Sequence, residues 1–268
     1  MATLHGNPAF SFTGNISNIS AYTMRGHDKI ILRSKGGASK RKIKTAESFE
    51  ATRRLNDEWK GVTKASTSIR LGLWPLKALA DYNISGPLNA LVKKIQSLDS
   101  VNRKGERAIL FSKQPEFLSS FNYNRQTLFD TVIRQPFSVD INKSDGICEL
   151  TVPALQPAIN FFPNPRHAYY QIVLAFAAIS DYEWHQSSRD YFPVSSNLPQ
   201  YEQIYTPWMQ TNRPGPSSVY RFAPSGAFTV GKDMILLLGA GVQYGIPGMD
   251  GSIQPAPYAG VARIIRSV

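Results

Sequence analysis

Glu183 and His185 stand two residues apart in a segment of strand character, Tyr182 to Gln186, and so share one face. They are the nearest approach the chain makes to an acid-base or metal-ligand pair, yet two groups neither hold a metal nor complete a catalytic set. The other histidines, His5, His27 and His167, are scattered, and with a single cysteine they offer no zinc-site spacing. Cys148 lies in the apolar run Ile147-Cys148-Glu149-Leu150 with no histidine near it, so it reads as a small hydrophobe in a strand. No metal site and no cofactor are expected.

The run Gly239-Ala240-Gly241-Val242-Gln243-Tyr244-Gly245 follows an apolar strand and invites comparison with a dinucleotide loop. Its third glycine comes one residue late, and Ile246-Pro247-Gly248-Met249-Asp250-Gly251 cannot open the helix that would hold a phosphate. Close backbone packing at a strand end explains the glycines better. Neither a Walker-type loop nor a Gly-x-Ser-x-Gly elbow occurs, which argues against those enzyme classes.

Charge is the other chemical resource. The net charge of +11 is carried by the first 110 residues, with 19 Lys and Arg against 8 Asp and Glu, while the remainder is neutral. Between Arg33 and Lys44 the sequence RSKGGASKRKIK holds six cations, Arg33, Lys35, Lys40, Arg41, Lys42 and Lys44, without an acid. The Gly-Gly at its centre reads as a flexible, positively charged link. Bound to phosphates, six such groups give a log-log salt slope of about −5.

Three segments must position these groups. Residues 1–34 alternate as strands do, at Phe10 and Phe12, Ile16 and Ile19, and Lys29 to Arg33 after a turn at 25–28, which predicts a hairpin or meander. Residues 35–115 form a basic helical region. Thr45 is placed to cap a helix running to about Lys60, with Phe49, Thr52, Asn56 and Trp59 on one face suited to a polar partner. A second helix, from about Val62 to Trp74, is expected to stop at Pro75. A third starts at Ser85-Gly86-Pro87 and runs to about Ser100, with Leu88, Leu91, Val92, Ile95 and Leu98 inward and Lys93 and Lys94 on the other side. Ala108 to Phe111 reads as a strand.

Residues 116–268 read as β, with strands near 137–141, 147–152, 168–180, 182–186, 227–230, 234–244 and 258–267. The class expected is α+β: an N-terminal β-hairpin and helical region, then an antiparallel β-sandwich, Ig-like or jelly-roll-like. Arg189 to Gly226 lacks periodicity and holds six prolines and many aromatics, so it reads as a long excursion covering one end of the sandwich or contacting a partner. Tyr205 and Trp208 are its candidate interface residues.

Gly14-Asn15-Ile16 together with Arg25-Gly26-His27-Asp28-Lys29-Ile30-Ile31-Leu32-Arg33, the helical middle and the close at Tyr258-Ala259-Gly260-Val261 resemble, in outline over the whole chain, an uncharacterised family known mainly from Bacteroidota genomes. The resemblance implies a bacterial or phage origin and carries no mechanism.

The function expected is that of a non-enzymatic structural or interaction protein that self-associates or builds into a larger assembly, its basic N-terminal region facing an acidic partner. One alternative is a nucleic-acid-associated protein using residues 33–44; another is a glycan-binding module or enzyme using Trp208, Tyr205 and His185. Residues 1–18 lack the charged and apolar regions of a signal peptide, and the longest strongly apolar stretch, Ile172 to Ile179, is too short for a membrane helix. The expected location is therefore the cytoplasm or an assembly such as a virion, without membrane insertion.

Overall fold

The computed structural model describes residues 2–3 (main chain), 13–23, 29–34, 36–195, 201–223 and 230–268. Phe10, Phe12, Lys35 and the expected turn at 25–28 lie outside them. The chain is mixed helix and sheet, with a strand hairpin at the N-terminus, helix in the middle and antiparallel sheet at the C-terminus. It forms two compact units, Met1–Arg53 and Arg54–Val268.

In the first unit β1 (Ala2–Thr3), β2 (Gly14–Ile16), β3 (Ile19–Tyr22) and β4 (Ile31–Ser34) make an antiparallel sheet in the order β1-β4-β3-β2. In the basic segment that follows, the described Gly36 and Gly37 are in neither helix nor strand. Its last residues form a short helix, α1 (Lys40–Thr45), capped by Ser39, whose side chain accepts from the Lys42 N–H at 3.2 Å. Arg53 Nη1 donates to the carbonyls of Ile43 at 2.9 Å and Ala46 at 2.7 Å, satisfying groups that the end of the helix leaves open. Thr45 therefore ends a helix instead of starting one.

The expected helices at 45–60 and 62–74 are one continuous helix, α2 (Glu50–Gly72), followed by α3 (Trp74–Lys77) and α4 (Ser85–Ser97). Pro75 sits in the first turn of α3, where its missing N–H leaves no bond broken. After a stretch with 3-10 turns and α5 (Phe129–Val132) come the strands β5 (Ser138–Asn142), β6 (Ile147–Val152), β7 (Tyr169–Ser180), β8 (Tyr182–His185), β9 (Asp190–Pro193), β10 (Tyr201–Tyr205), β11 (Met209–Gln210), β12 (Ser218–Phe222), β13 (Met234–Pro247) and β14 (Ile253–Ser267). The expected strand at 108–111 is a single bridge, Ile109 to Tyr182, running into a 3-10 turn.

The largest sheet runs β10-β7-β13-β14, with β11 also paired to β7; β12-β6-β5 and β8-β9 make two smaller ones. Alternation along β7 divides the core. Val173, Ala175, Ala177 and Ile179 join Val62, Ala65, Ile69, Leu76, Leu88 and Val92 of the helices. Ile172, Leu174, Phe176 and Ala178 join Cys148, Leu150, Val152 and Phe222 of the three-stranded sheet. A strand covered on both faces needs apolar residues at every position, which accounts for the unbroken run 172–179. The layers are helix, large sheet, small sheet.

Glycines set the spacing between layers. A Cβ on Gly239 would lie 2.4 Å from Leu76 Cδ1, and one on Gly241 would lie 2.4 Å from Leu79 Cδ1 and 2.9 Å from the Val261 carbonyl oxygen. The run 239–245 is thus close packing, but it lies inside β13 and not at the strand end expected. The segment 189–226 corrects the sequence reading: its described residues, 189–195 and 201–223, hold four short strands, β9 pairing with β8, β10 and β11 with β7, and β12 with β6. Its prolines at 207, 214 and 216 fall in the connections between these short strands, where no ladder N–H is required.

Candidate interaction surfaces and the buried charge cluster

Strands β13 and β14 continue past the body of the large sheet as a two-stranded hairpin whose end is locally determined. The Gly248 N–H donates to the Ser252 carbonyl at 2.7 Å, Asp250 Oδ1 accepts from the Ser252 N–H and hydroxyl at 3.0 and 2.7 Å, and Gly251 supplies a φ of +79°. This turn leaves Met249 fully exposed and Ile246 partly so. Below it the strands fall out of register: Gln243 pairs with Gly260 and Gly245 with Pro255, so Ala256 to Ala259 stand against Tyr244 alone. The bulge places Tyr258 at a φ of +56° and leaves it 91% exposed. Left-handed backbone at an aromatic residue is strained by about 1–2 kcal/mol. Pro255 and Pro257 remove N–H groups from this edge, so it presents side chains and not a template for strand addition. Further along, residues 120–123 pair with Ala262 and Ile264 and cover the edge.

The cations singled out from sequence divide by position. Lys40, Arg41, Lys42 and Lys44 are exposed on α1, Arg33 is exposed on β4, and Lys35 lies outside the described residues. Among the described residues no carboxylate pairs with the four on α1. Thr52, Asn56 and Trp59 are exposed and Phe49 is half-buried on a 3-10 turn, while the buried side of α2 carries Glu58, Val62, Ala65, Ser66 and Ile69. Tyr205 is exposed on β10. Trp208 packs on Gly245, where a Cβ would come within 2.7 Å of its ring. His185 is exposed on β8, its ring centroid 5.1 Å from that of Phe192. Glu183 is also exposed, and among the described residues no group of three or more His, Cys, Asp or Glu is placed to hold a metal. Cys148 is buried, and desolvation pushes its thiol up to about 12.

A cluster that sequence reasoning missed lies inside the second unit. Glu58 is fully buried and accepts from Arg107 Nε at 2.7 Å, Arg107 Nη2 at 2.9 Å, the Gly105 N–H at 2.9 Å and Lys93 Nζ. Burial alone would raise its carboxyl, but these donors outweigh it and hold the group at about 2, against an ordinary 4.5. Gln96 accepts from Lys93 at 2.7 Å and donates to the carbonyl of Arg107 at 3.1 Å; the Tyr191 hydroxyl donates to the same carbonyl at 3.0 Å. Gly61 lets the helix approach, since a Cβ there would stand 2.7 Å from the Tyr191 ring. Lys93, expected on the outer side of α4, is turned into this cluster. The only sequence signals were isolated charges that resemble an ordinary solvated surface.

With both oxygens occupied and a very low pKa, Glu58 is no proton acceptor. The cluster ties α2, α4, the 99–107 loop and β9 together. Asp99 orders the same loop by accepting from the N–H groups of Val101 at 2.9 Å and Ala108 at 2.7 Å. No helix among the described residues is long and apolar enough to cross a membrane. Comparison with family models, with curated proteins and with solved structures returns no match for this chain.

Proposed function

We propose that this chain is a non-enzymatic interaction protein that self-associates into a larger assembly through the end of the β13–β14 hairpin, with its basic N-terminal unit facing an acidic partner. Tyr258 carries the reading: a bulge holds a bulky aromatic residue in left-handed backbone and points it at solvent, a costly arrangement that contributes no packing to its own core. Tyrosine and methionine are both enriched at the centres of protein interfaces. Met249 and Ile246 extend the apolar surface. The two sheets that share the second core support the antiparallel-sandwich reading, of Ig-like or jelly-roll-like type, with α2 to α4 covering the outer face of the larger sheet.

The test is light scattering of the full chain over a range of concentrations, beside Tyr258→Gly combined with Met249→Ser. Glycine relieves the strained φ, so the variant keeps or raises the thermal midpoint while its mass falls to that of a monomer. A wild-type chain that stays monomeric, or a variant that assembles as before, overturns the proposal.

A second reading, nucleic-acid association, rests on Lys40, Arg41, Lys42 and Lys44, displayed on a helix pinned by Ser39 and Arg53 without paired acids among the described residues. It predicts retention of nucleic acid at low salt and release at high salt.

A further inference from the structure

A cleft of about 360 Å³ opens in the second unit between α5, the segment that follows it, β5 and the last residues of β14. Its floor is apolar. Phe129 and Ile133 are buried, Val139 and Ile265 are half-buried, and the Phe129 and Phe137 rings meet edge to face with centroids 5.8 Å apart. Its rim is cationic, with Arg134, Arg263 and Arg266 against one carboxylate, Asp130.

The three arginines are not equivalent. Arg263 is committed to the fold: Nη1 donates to both oxygens of Asp130, and Nη2 to the Ser120 hydroxyl at 2.8 Å. Arg134 stacks its guanidinium 3.8 Å from the centroid of Phe162, and its main-chain N–H bonds the Asn160 carbonyl at 2.9 Å. Stacking fixes the plane of the group while leaving its N–H edge open. Arg266 is exposed on β14. Among the described residues neither Arg134 nor Arg266 pairs with a carboxylate, so the rim carries two uncompensated positive charges beside an aromatic floor.

We propose that this cleft binds an aromatic phosphomonoester, the dianionic phosphate held by Arg134 and Arg266 and the ring lying on Phe137, Val139 and Ile265. Two planar guanidiniums match the charge and oxygen geometry of a phosphate better than those of a singly charged carboxylate. The volume lies at the small end of ligand pockets and suits one ring with its phosphate. Neither assembly through the hairpin nor the cations of α1 are required for this site.

Calorimetric titration of the full chain with phenyl phosphate, methyl phosphate, benzoate and inorganic phosphate tests it. Phenyl phosphate is expected to bind most tightly, at least about tenfold ahead of each of the others, and to raise the thermal midpoint. Arg134→Gln and Arg266→Gln should each weaken it about tenfold, and Phe137→Ala should remove the preference for phenyl over methyl phosphate. The arginine variants break no ion pair, and an unchanged midpoint without ligand shows that they fold. Absence of saturable phenyl phosphate binding, equal binding of methyl phosphate, or undiminished binding to the Arg134→Gln, Arg266→Gln double variant would each overturn the proposal.

Discussion

Glu58 and Asp181 are both carboxylates buried in the second unit, and the protein treats them in opposite ways. Glu58 meets Arg107, Lys93 and a main-chain N–H, and its pKa is driven down to about 2. Asp181 is raised, chiefly by desolvation, with Asp233 adding to the effect; hydrogen bonds from Ser112, 2.9 Å from the N–H and 2.5 Å from the hydroxyl, only partly offset it. Equal burial therefore does not mean equal energetics. Two cations convert a desolvation penalty into a stabilising ionisation, whereas neutral donors do not.

Removing the negative charge at Glu58 is the strongest way to test that contrast. Glu58→Gln leaves Arg107 and Lys93 facing each other without an anion, and loss of one partner from a buried pair costs about 3–5 kcal/mol. Because those two side chains retain 19% and 23% exposure and can partly rehydrate, the lower end, about 3 kcal/mol, is expected in urea unfolding. A change below about 1 kcal/mol would mean that the cluster is not what joins the loop to the helices.

Acid provides the same test without mutation. The folded-state pKa of Glu58 lies below its unfolded value, so its contribution is complete above about 4.5 and is lost as pH falls towards 2. The loss amounts to about 3 kcal/mol, and Glu58→Gln should flatten that part of the stability profile. Asp181 has the opposite sign: with its folded pKa raised, its contribution is present below the unfolded value and lost as pH rises through the folded one. Asp181→Asn keeps an acceptor for the Ser112 N–H and removes the ionisation penalty, so its stability at neutral pH should lie within about 1 kcal/mol of wild type or above it. Destabilisation by more than about 2 kcal/mol would show that the ionised form is required.

The same contrast shows what could be read from sequence. Strands 138–142, 147–152, 169–180 and 182–185 were legible because apolar residues, turn residues and length agree there. The continuity of α2 was not, because Gly61, which faces the Tyr191 ring, interrupts its apolar stripe at a point of close packing. Strands of two to five residues separated by prolines fall below any detectable period, so β10 to β12 read as an excursion. The Glu58 cluster joins residues 35 and 49 positions apart, and the pairing of isolated charges at that range leaves no local pattern. Tyr258 was visible only as a strand residue, since its bulge depends on register with β13.

Outside the core the uncompensated charges give the smallest expected effect on stability and a distinct effect on binding. Replacing Lys40, Arg41, Lys42 and Lys44 together by glutamine removes four exposed cations that have no paired acids among the described residues and keeps residues of good helix propensity. The Ser39 cap and both Arg53 bonds use main-chain groups of α1 and of Ala46 just after it, which the substitutions leave in place. Thermal unfolding should therefore shift by no more than about 0.5 kcal/mol in equivalent stability. If these cations meet a polyanion, the salt slope for single-stranded DNA should fall by about 0.7 for each phosphate left without its cation, and so by about 3 when all four are replaced. An unchanged slope would detach the basic segment from any nucleic-acid role. A large loss of stability would place these side chains with Glu58, as charges the fold requires, and remove the reason for reading them as a surface kept for a partner.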